Sequence, residues 1–206
     1  MGRLIVTEFV TLDGVGQAPG APEEDRDGDF VHGGWQAPLL DEASGAVLFD
    51  QARTMDALLL GRHTYEIFAG YWPQAPAESP FTELLNRVPK YVASRTLVEP
   101  LTWSGSSVVP GDLAAGVAAI KERHDEVHVI GSLDLVQSLL REGLADRLDL
   151  WVYPIVLGTG QRLFAAGAVP TALRLVHTET FDSGTVHLEY DTAGVPTYGD
   201  MTNDAT

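Results

Sequence analysis

The stretch Asp56-Ala57-Leu58-Leu59-Leu60-Gly61-Arg62-His63-Thr64-Tyr65-Glu66 runs from an apolar segment through a glycine to a basic residue and a helix-starting threonine. A strand that turns into a helix in this way aims backbone N–H groups outward, where the helix dipole favours an anion. Arg62 adds a fixed charge in a planar fork that suits phosphate. The segment fits an ordinary turn with a solvated arginine equally well. Two further corners offer similar chemistry. Ser94-Arg95-Thr96 follows a strand and flanks an arginine with hydroxyls, a grip for a phosphate monoester. Ile130-Gly131-Ser132-Leu133 turns a strand into a helix with glycine at the close-approach position and serine at the N-cap. Each corner alone is weak, because such turns recur across α/β domains. Three of them in a chain with 13 Lys and Arg suggest a dinucleotide with a separate terminal phosphate, hence NADP over NAD.

These corners need strands to end at them. Leu4 to Val10 reads as a central strand, interrupted by Glu8, a carboxylate that must be paired, exposed at the sheet end, or functional. Thr11-Leu12-Asp13-Gly14 is a turn, followed by a long loop to about Pro38. Loops of that length are functional or disordered, and Phe30, His32 and Trp35 predict that this one folds over something. Leu39 to Ala52 reads as a helix with Leu40, Val47, Leu48 and Phe49 inward. Further strands are expected at Ala57–Leu60, Lys90–Ser94, Ser106–Val109, Val127–Ile130 and Leu148–Ile155. Helices are expected at Thr64–Ala69 and Phe81–Arg87, from Asp112 to Arg123, and from Ser132 to Glu142. Leu173–Phe181 and Thr185–Tyr190 close the domain as a hairpin across Asp182-Ser183-Gly184. The pattern predicts a single α/β domain over 1–191, with a mainly parallel sheet flanked by helices and a C-terminal antiparallel hairpin, and a flexible tail over 192–206. In such sheets ligands bind beyond the carboxyl ends of the strands at a switch point.

Composition narrows the partners. The 206 residues carry a formal charge of −16, which repels nucleic acid and anionic membranes. No apolar run reaches membrane-spanning length and no signal peptide fits before Asp13-Gly14, so a soluble cytoplasmic protein is expected. The absence of cysteine excludes disulfides, thiolate metal sites and cysteine nucleophiles. His124, His128, His177 and His187 show no metal-ligand spacing, and no metal is expected. His128 and His187 alternate with apolar neighbours and read as surface-facing, and His32 reads as solvated. Trp35, Phe30 and Tyr71-Trp72 could form a lid over a flat substrate, although each singly reads as a loop anchor.

Several motifs, in order, carry a family resemblance. They are Thr11-Leu12-Asp13-Gly14, Leu60-Gly61-Arg62-His63-Thr64-Tyr65-Glu66, Lys90-Tyr91-Val92-Ala93-Ser94-Arg95, Ile130-Gly131-Ser132 with Leu135-Val136, and Pro154-Ile155-Val156-Leu157-Gly158-Thr159-Gly160 with Leu163-Phe164. Through them the chain resembles the dihydrofolate-reductase-like superfamily, in particular the reductase domain of bifunctional riboflavin-biosynthesis enzymes. The resemblance implies that fold, a homodimer and NADPH as cofactor. It implies that Arg62, His63 and Thr64, next to Gly61, contact cofactor phosphates, and that Ser94 and Arg95 hold the 2′-phosphate. Gly131, Ser132 and Leu133 would meet the pyrophosphate, with Ser132 where many relatives carry a second glycine. Without cysteine the zinc deaminase partner domain has no counterpart here, so a stand-alone reductase is expected.

Hydride transfer asks the protein for positioning and exclusion of water, and reduction of C=N or C=C also needs a proton. Dihydrofolate reductases place a carboxylate on the first helix. Here that place falls near Gly45, with Asp41, Glu42 and Asp50 as the nearest acids. Asp13 and Asp50 are the catalytic candidates, and Glu8, Trp35 and Gly158 fall to the substrate side. A ribose-phosphate substrate would need a second basic cluster, for which Lys90 and Arg162 remain, with Arg26 in the long loop. The expected function is therefore NADPH-dependent reduction of a small planar heterocycle, pterin-like or related. The alternatives are a non-catalytic nucleotide- or ligand-binding protein on the same fold, and the 5-amino-6-(5-phosphoribosylamino)uracil reductase of riboflavin biosynthesis.

Overall fold

The computed structural model describes residues 1–201. Among them eight strands form one sheet: β1 (Arg3–Thr11), β2 (Ala57–Gly61), β3 (Lys90–Ala93), β4 (Ser106–Val108), β5 (Glu126–Ile130), β6 (Arg147–Tyr153), β7 (Leu173–Thr180) and β8 (Val186–Thr192). Their order is β4-β3-β2-β5-β1-β6-β8-β7. The pairs from β4 across to β6 are parallel, whereas β8 runs antiparallel to both β6 and β7. Five helices complete the fold: α1 (Glu42–Ala52), α2 (Arg62–Tyr71), α3 (Pro80–Arg87), α4 (Leu113–Lys121) and α5 (Leu133–Arg141). The expected α/β architecture with a closing hairpin is the one observed. The hairpin folds back so that β8, rather than β7, lies beside β6.

Alternation along the strands sorts two cores. Leu4, Val6 and Val10 of β1 face α4 and α5, packing with Val127, Val129, Val136 and Leu139. The other face carries Leu58, Leu60 and Val92 against Tyr65, Leu84 and Leu85, and farther along the sheet Trp151 and Tyr153 against Val15 and Trp35. Both faces of β1 are covered, so no side chain of a central strand has a solvent face to use. The long loop supplies part of that cover through Phe30 and Trp35, which are buried, while His32 stays exposed.

Two local readings shift. α1 starts at Glu42 rather than Leu39, because residues Ala37–Leu39 form a short 3-10 turn through Pro38. Asp41 then closes a capping box with Ser44. Leu40 therefore lies outside the helix and 45% exposed rather than inward. α2 takes in Arg62 and His63 at its start, and Gly61 is its N-cap. The C-terminal segment stays paired through Gly194, whose carbonyl accepts from the Ala172 amide. Of the expected tail over 192–206, residues 202–206 lie outside the described residues.

The crossovers create a switch point. β2 and β5 are neighbours, yet α2 packs on the Leu58–Leu60 face and α5 on the Val127–Val129 face. The chain thus leaves the carboxyl ends of two adjacent strands in opposite directions, opening a crevice between them. Leu139, fully buried, presses α5 onto the sheet beside this crevice. Leu139→Ala is expected to lower the unfolding free energy by about 2–5 kcal/mol, read from urea denaturation.

Candidate active site

At the switch point the two strand ends are bound to each other. The Gly61 amide donates to Ser132 Oγ at 3.0 Å, and Thr64 Oγ1 donates to the Gly131 carbonyl at 3.0 Å. Gly131 has φ +66°, and an added Cβ would sit 3.5 Å from Thr64 Cγ2, so glycine is needed there for its backbone. Ser132 does not cap α5 as expected, since its hydroxyl turns to Gly61 and to the Ile130 carbonyl. α2 likewise begins with no side-chain cap. Two helix N-termini therefore open onto the same cleft without side-chain caps.

The cleft has a volume of about 1320 Å³. All nine residues expected to hold a cofactor line it: Gly61, Arg62, His63, Thr64, Ser94, Arg95, Gly131, Ser132 and Leu133. Their availability differs. Arg62 pairs with Glu66 one turn along α2 at 2.9 Å. His63 Nε2 lies 3.2 Å from Asp25 Oδ2, so the acidic part of the long loop rests against the start of α2. Ser94 Oγ accepts from the amides of Thr96 and Leu97, which shapes the turn. Arg95 is exposed and makes no ion pair or hydrogen bond among the described residues.

The five other candidates do not gather there. Asp13 accepts from Thr11 Oγ1 at 2.7 Å and from the Gly158 amide at 2.9 Å, and pairs with Arg162 at 3.1 Å. The Thr11 hydroxyl foremost, with the Gly158 and Leu157 amides, holds its carboxyl far below the usual range, so it braces this corner as an anion. Gly158 belongs to that same corner, with φ +76°. Asp50 faces solvent on α1, paired with Arg53 at 2.9 Å. Trp35 anchors the long loop by donating from Nε1 to the Gln17 carbonyl at 2.8 Å, edge-on to Tyr153. Glu8 is buried on the Val6–Val10 face, on the opposite side of β1 from the Thr7–Phe9 face that lines the cleft. Of the expected aromatic lid, Trp72 lines the cleft, while Phe30 and Trp35 are packing anchors.

Thr7, Gln51, His128 and Asp149 line the cleft floor, with His187 buried behind Asp149, a polar row that the sequence did not bring together. Thr7 Oγ1 donates to Asp149 Oδ2 at 3.2 Å, and Asp149 Oδ1 meets His187 Nε2 at 2.6 Å. Gln51, beside Asp50 on α1, donates to Glu189 Oε1 at 3.0 Å. His128 and His187 are buried, not surface-facing, because α1 and the long loop cover the face that alternation alone would leave open. Burial pushes the His128 imidazole below its usual pKa, against the pull of Asp149 and Glu126. Its Nε2 has no hydrogen-bond partner. The signal that could have found this row was Asp149, a lone acid in Leu148-Asp149-Leu150-Trp151. The strands also assemble His177, Glu179 and His187, and the loop brings Asp25 and Asp27 to His63, in groups whose donor atoms lie within 4.8 Å of one another. Spacing along the chain showed neither.

The sequence pattern of the RibD C-terminal domain matches residues 3–187. The chain belongs to the RibD C-terminal domain family. That family is one of reductase domains, and its fold is dihydrofolate-reductase-like. Among relatives, the uncharacterised protein YyaP of Bacillus subtilis is 29% identical over 194 residues, covering 91% of this chain and 94% of YyaP. A candidate riboflavin-biosynthesis protein of Shewanella sp. PV-4 superimposes with TM-score 0.72 at 22% identity, over 93% of this chain and 99% of that one. A deaminase/5-amino-6-(5-phosphoribosylamino)uracil reductase of Thermotoga maritima gives TM-score 0.59 at 17% identity, over 93% of this chain and 57% of that one. At these identities the structural likeness speaks for the fold. No helix among the described residues is long and apolar enough to cross a membrane.

Glu8 yields a test of the corner it lies beneath. Burial raises its pKa to about 8, partly offset by the Ser132 and Gly131 amides, so it is protonated at neutral pH. A carboxyl whose folded pKa exceeds its unfolded value supports the fold fully below the unfolded pKa and loses that support as pH rises through the folded one. Melting temperature is therefore expected to fall between about pH 5 and pH 8 through this group, and Glu8→Gln to flatten that fall. An unchanged slope in the variant, measured by calorimetry across that range, would contradict the assignment.

Proposed function

We propose that the protein is an NADPH-dependent reductase of a small, unphosphorylated, planar heterocycle. The observation that carries this reading is the pair of helix N-termini without side-chain caps, tied strand end to strand end, beside an unpaired arginine. The residues fit the cofactor. Thr64, Ser132 and Leu133 sit where backbone N–H groups of α2 and α5 would receive the pyrophosphate. Ser94 and Arg95 would take the 2′-phosphate, with Arg95 supplying the charge. When bound, the nicotinamide supplies a hydride.

The chain's own residues orient the acceptor and manage its proton. Thr7, Gln51 and Asp149 present a hydroxyl, an amide and a carboxylate to the cleft floor, a set that can hydrogen-bond a ring edge bearing N–H and C=N groups. The protonatable groups beside that edge are His128 and Asp149, with His187 hydrogen-bonded behind Asp149, so the proton for C=N or C=C reduction would come from this row. Trp72, Phe68 and Phe81 wall the cleft with flat apolar surface. The homodimer implied by the resemblance is part of the same reading.

None of the three cations considered for a ribose phosphate is without a partner: Arg26 pairs with Glu23 in the long loop. Lys90 is buried, donates to the carbonyls of Asn86 and Ser104, and lies over the Trp103 ring; burial lowers its pKa to about 8. Arg162 is held by Asp13. This disfavours the phosphoribosyl substrate named for the Thermotoga maritima relative. The uncharged Gln51 on the inner side of α1 favours a second reading, a non-catalytic binding protein. Tight NADPH binding without oxidation across a panel of pterins, pyrimidines and conjugated carbonyls would support it.

Fluorescence titration should give tighter binding of NADPH than NADH, and Arg95→Ala should erase about 10- to 100-fold of the NADPH affinity while leaving NADH unchanged. Equal affinities in the parent protein would remove the 2′-phosphate role. With a substrate in hand, Asp149→Asn should cut kcat by about 10²-fold or more at unchanged NADPH affinity. An undiminished kcat would free Asp149 of any part in the chemistry.

A further inference from the structure

We propose that the β7–β8 hairpin binds a divalent transition-metal ion, zinc by its donor chemistry, through His177, Glu179 and His187. The inference does not rest on the reductase reading, although it shares Asp149 and His187 with that site. It starts from an unsatisfied atom. His187 is fully buried, its ring stacked on Trp151 at 4.5 Å, and Nε2 is committed to Asp149 Oδ1 at 2.6 Å. The other ring nitrogen, Nδ1, is buried without a hydrogen-bond partner. Neither protonation state removes the problem. A neutral ring with its proton on Nε2 leaves a lone pair stranded at Nδ1, and an imidazolium leaves an N–H stranded there. A metal ion on Nδ1 removes it.

The neighbouring strand supplies the remaining ligands. His177 and Glu179 are two residues apart on β7 and so share a face, and Glu179 lies directly across the ladder from His187. One donor atom from each of the three lies within 4.8 Å of the others. Tetrahedral zinc with bonds of about 2.0–2.2 Å needs donors somewhat closer than that limit. His177 and Glu179 can close the gap, because their side chains are 49% and 42% exposed. Asp149 behind His187 completes a carboxylate–histidine–metal arrangement, fixing the tautomer and ring orientation. Glu189, across from His177, is not available as a fourth ligand, since Arg147 and Gln51 engage its two oxygens. The set is thus two imidazoles and a carboxylate with a position left for water, a donor set suited to zinc.

The test uses untagged protein, dialysed against chelator and titrated with Zn²⁺ by calorimetry and with Co²⁺ by visible absorption. Uptake of one equivalent, with the intense absorption of four-coordinate Co²⁺, is expected. His177→Ala and Glu179→Gln, at exposed positions where circular dichroism should report an unchanged fold, should each abolish that spectrum and weaken Zn²⁺ binding at least tenfold. Asp149→Asn, acting through His187, should weaken it by about 10- to 100-fold. Absence of saturable uptake by the parent protein would overturn the proposal. So would uptake indifferent to both β7 substitutions, which would direct attention to Asp25, Asp27 and His63 instead.

Discussion

Gly61 donates its amide to the Ser132 hydroxyl, Thr64 donates its hydroxyl to the Gly131 carbonyl, and the cleft depends on this exchange between two strand ends. Parallel neighbours such as β2 and β5 splay where their helices depart to opposite faces. The crossed bonds hold them together at that point. They also redirect the one side chain placed to cap. Ser132 turns its hydroxyl to the Gly61 amide, and the N-cap of α2 is Gly61 itself, so the first N–H groups of α2 and α5 remain without a side-chain acceptor. Such orphan donors call for water or an anion. Rigidity and anion receptivity therefore follow from one arrangement.

The opposite end of the cleft obeys a different constraint. A sheet covered on both faces has no solvent to receive a polar side chain, so Thr7, Asp149, His187 and Gln51 must answer one another. Three strands and one helix contribute to that row, and its cost is repaid only where each member finds a partner. Two atoms of the row remain unanswered, Gln51 Oε1 and His187 Nδ1, as does the neighbouring His128 Nε2. Such unpaired polar atoms call for a partner, which a ligand's groups or an ion could supply.

The three strand-end corners were legible because their signals are local. A buried strand, a glycine and a helix start fall within a few residues, and Gly131 is demanded by its own φ of +66°. The closing hairpin was legible for the same reason, through Asp182-Ser183-Gly184. The floor was not, because it depends on register between strands far apart in sequence. Thr7 meets Asp149 only because β1 and β6 pair in that register. Glu8 was noticed and Thr7 was not, yet one residue along a strand is a change of face, and it put the carboxyl beneath α5 and the hydroxyl in the cleft. The same step on a helix, about 100°, separates solvent-facing Asp50 from Gln51, which reaches the floor. Parity and helix phase are decided by packing, and the long loop that covers His187 and Trp151 lacked a readable fold of its own.

Charge would give the proposed site its selectivity. A chain of net charge −16 repels an anionic dinucleotide at long range, so attraction has to be local and desolvated. Arg62 pairs with Glu66, and His63 lies against Asp25. Asp25 and Asp27 moreover bring negative charge to the edge of the proposed pyrophosphate position, where backbone N–H groups rather than side-chain cations would bear the binding. Arg95 stands apart, unpaired and exposed at the carboxyl end of β3. In the proposed reading, discrimination for a terminal phosphate would rest on a single uncompensated guanidinium, set against an acidic background that discourages anions lacking both the helix-end contacts and that one charge.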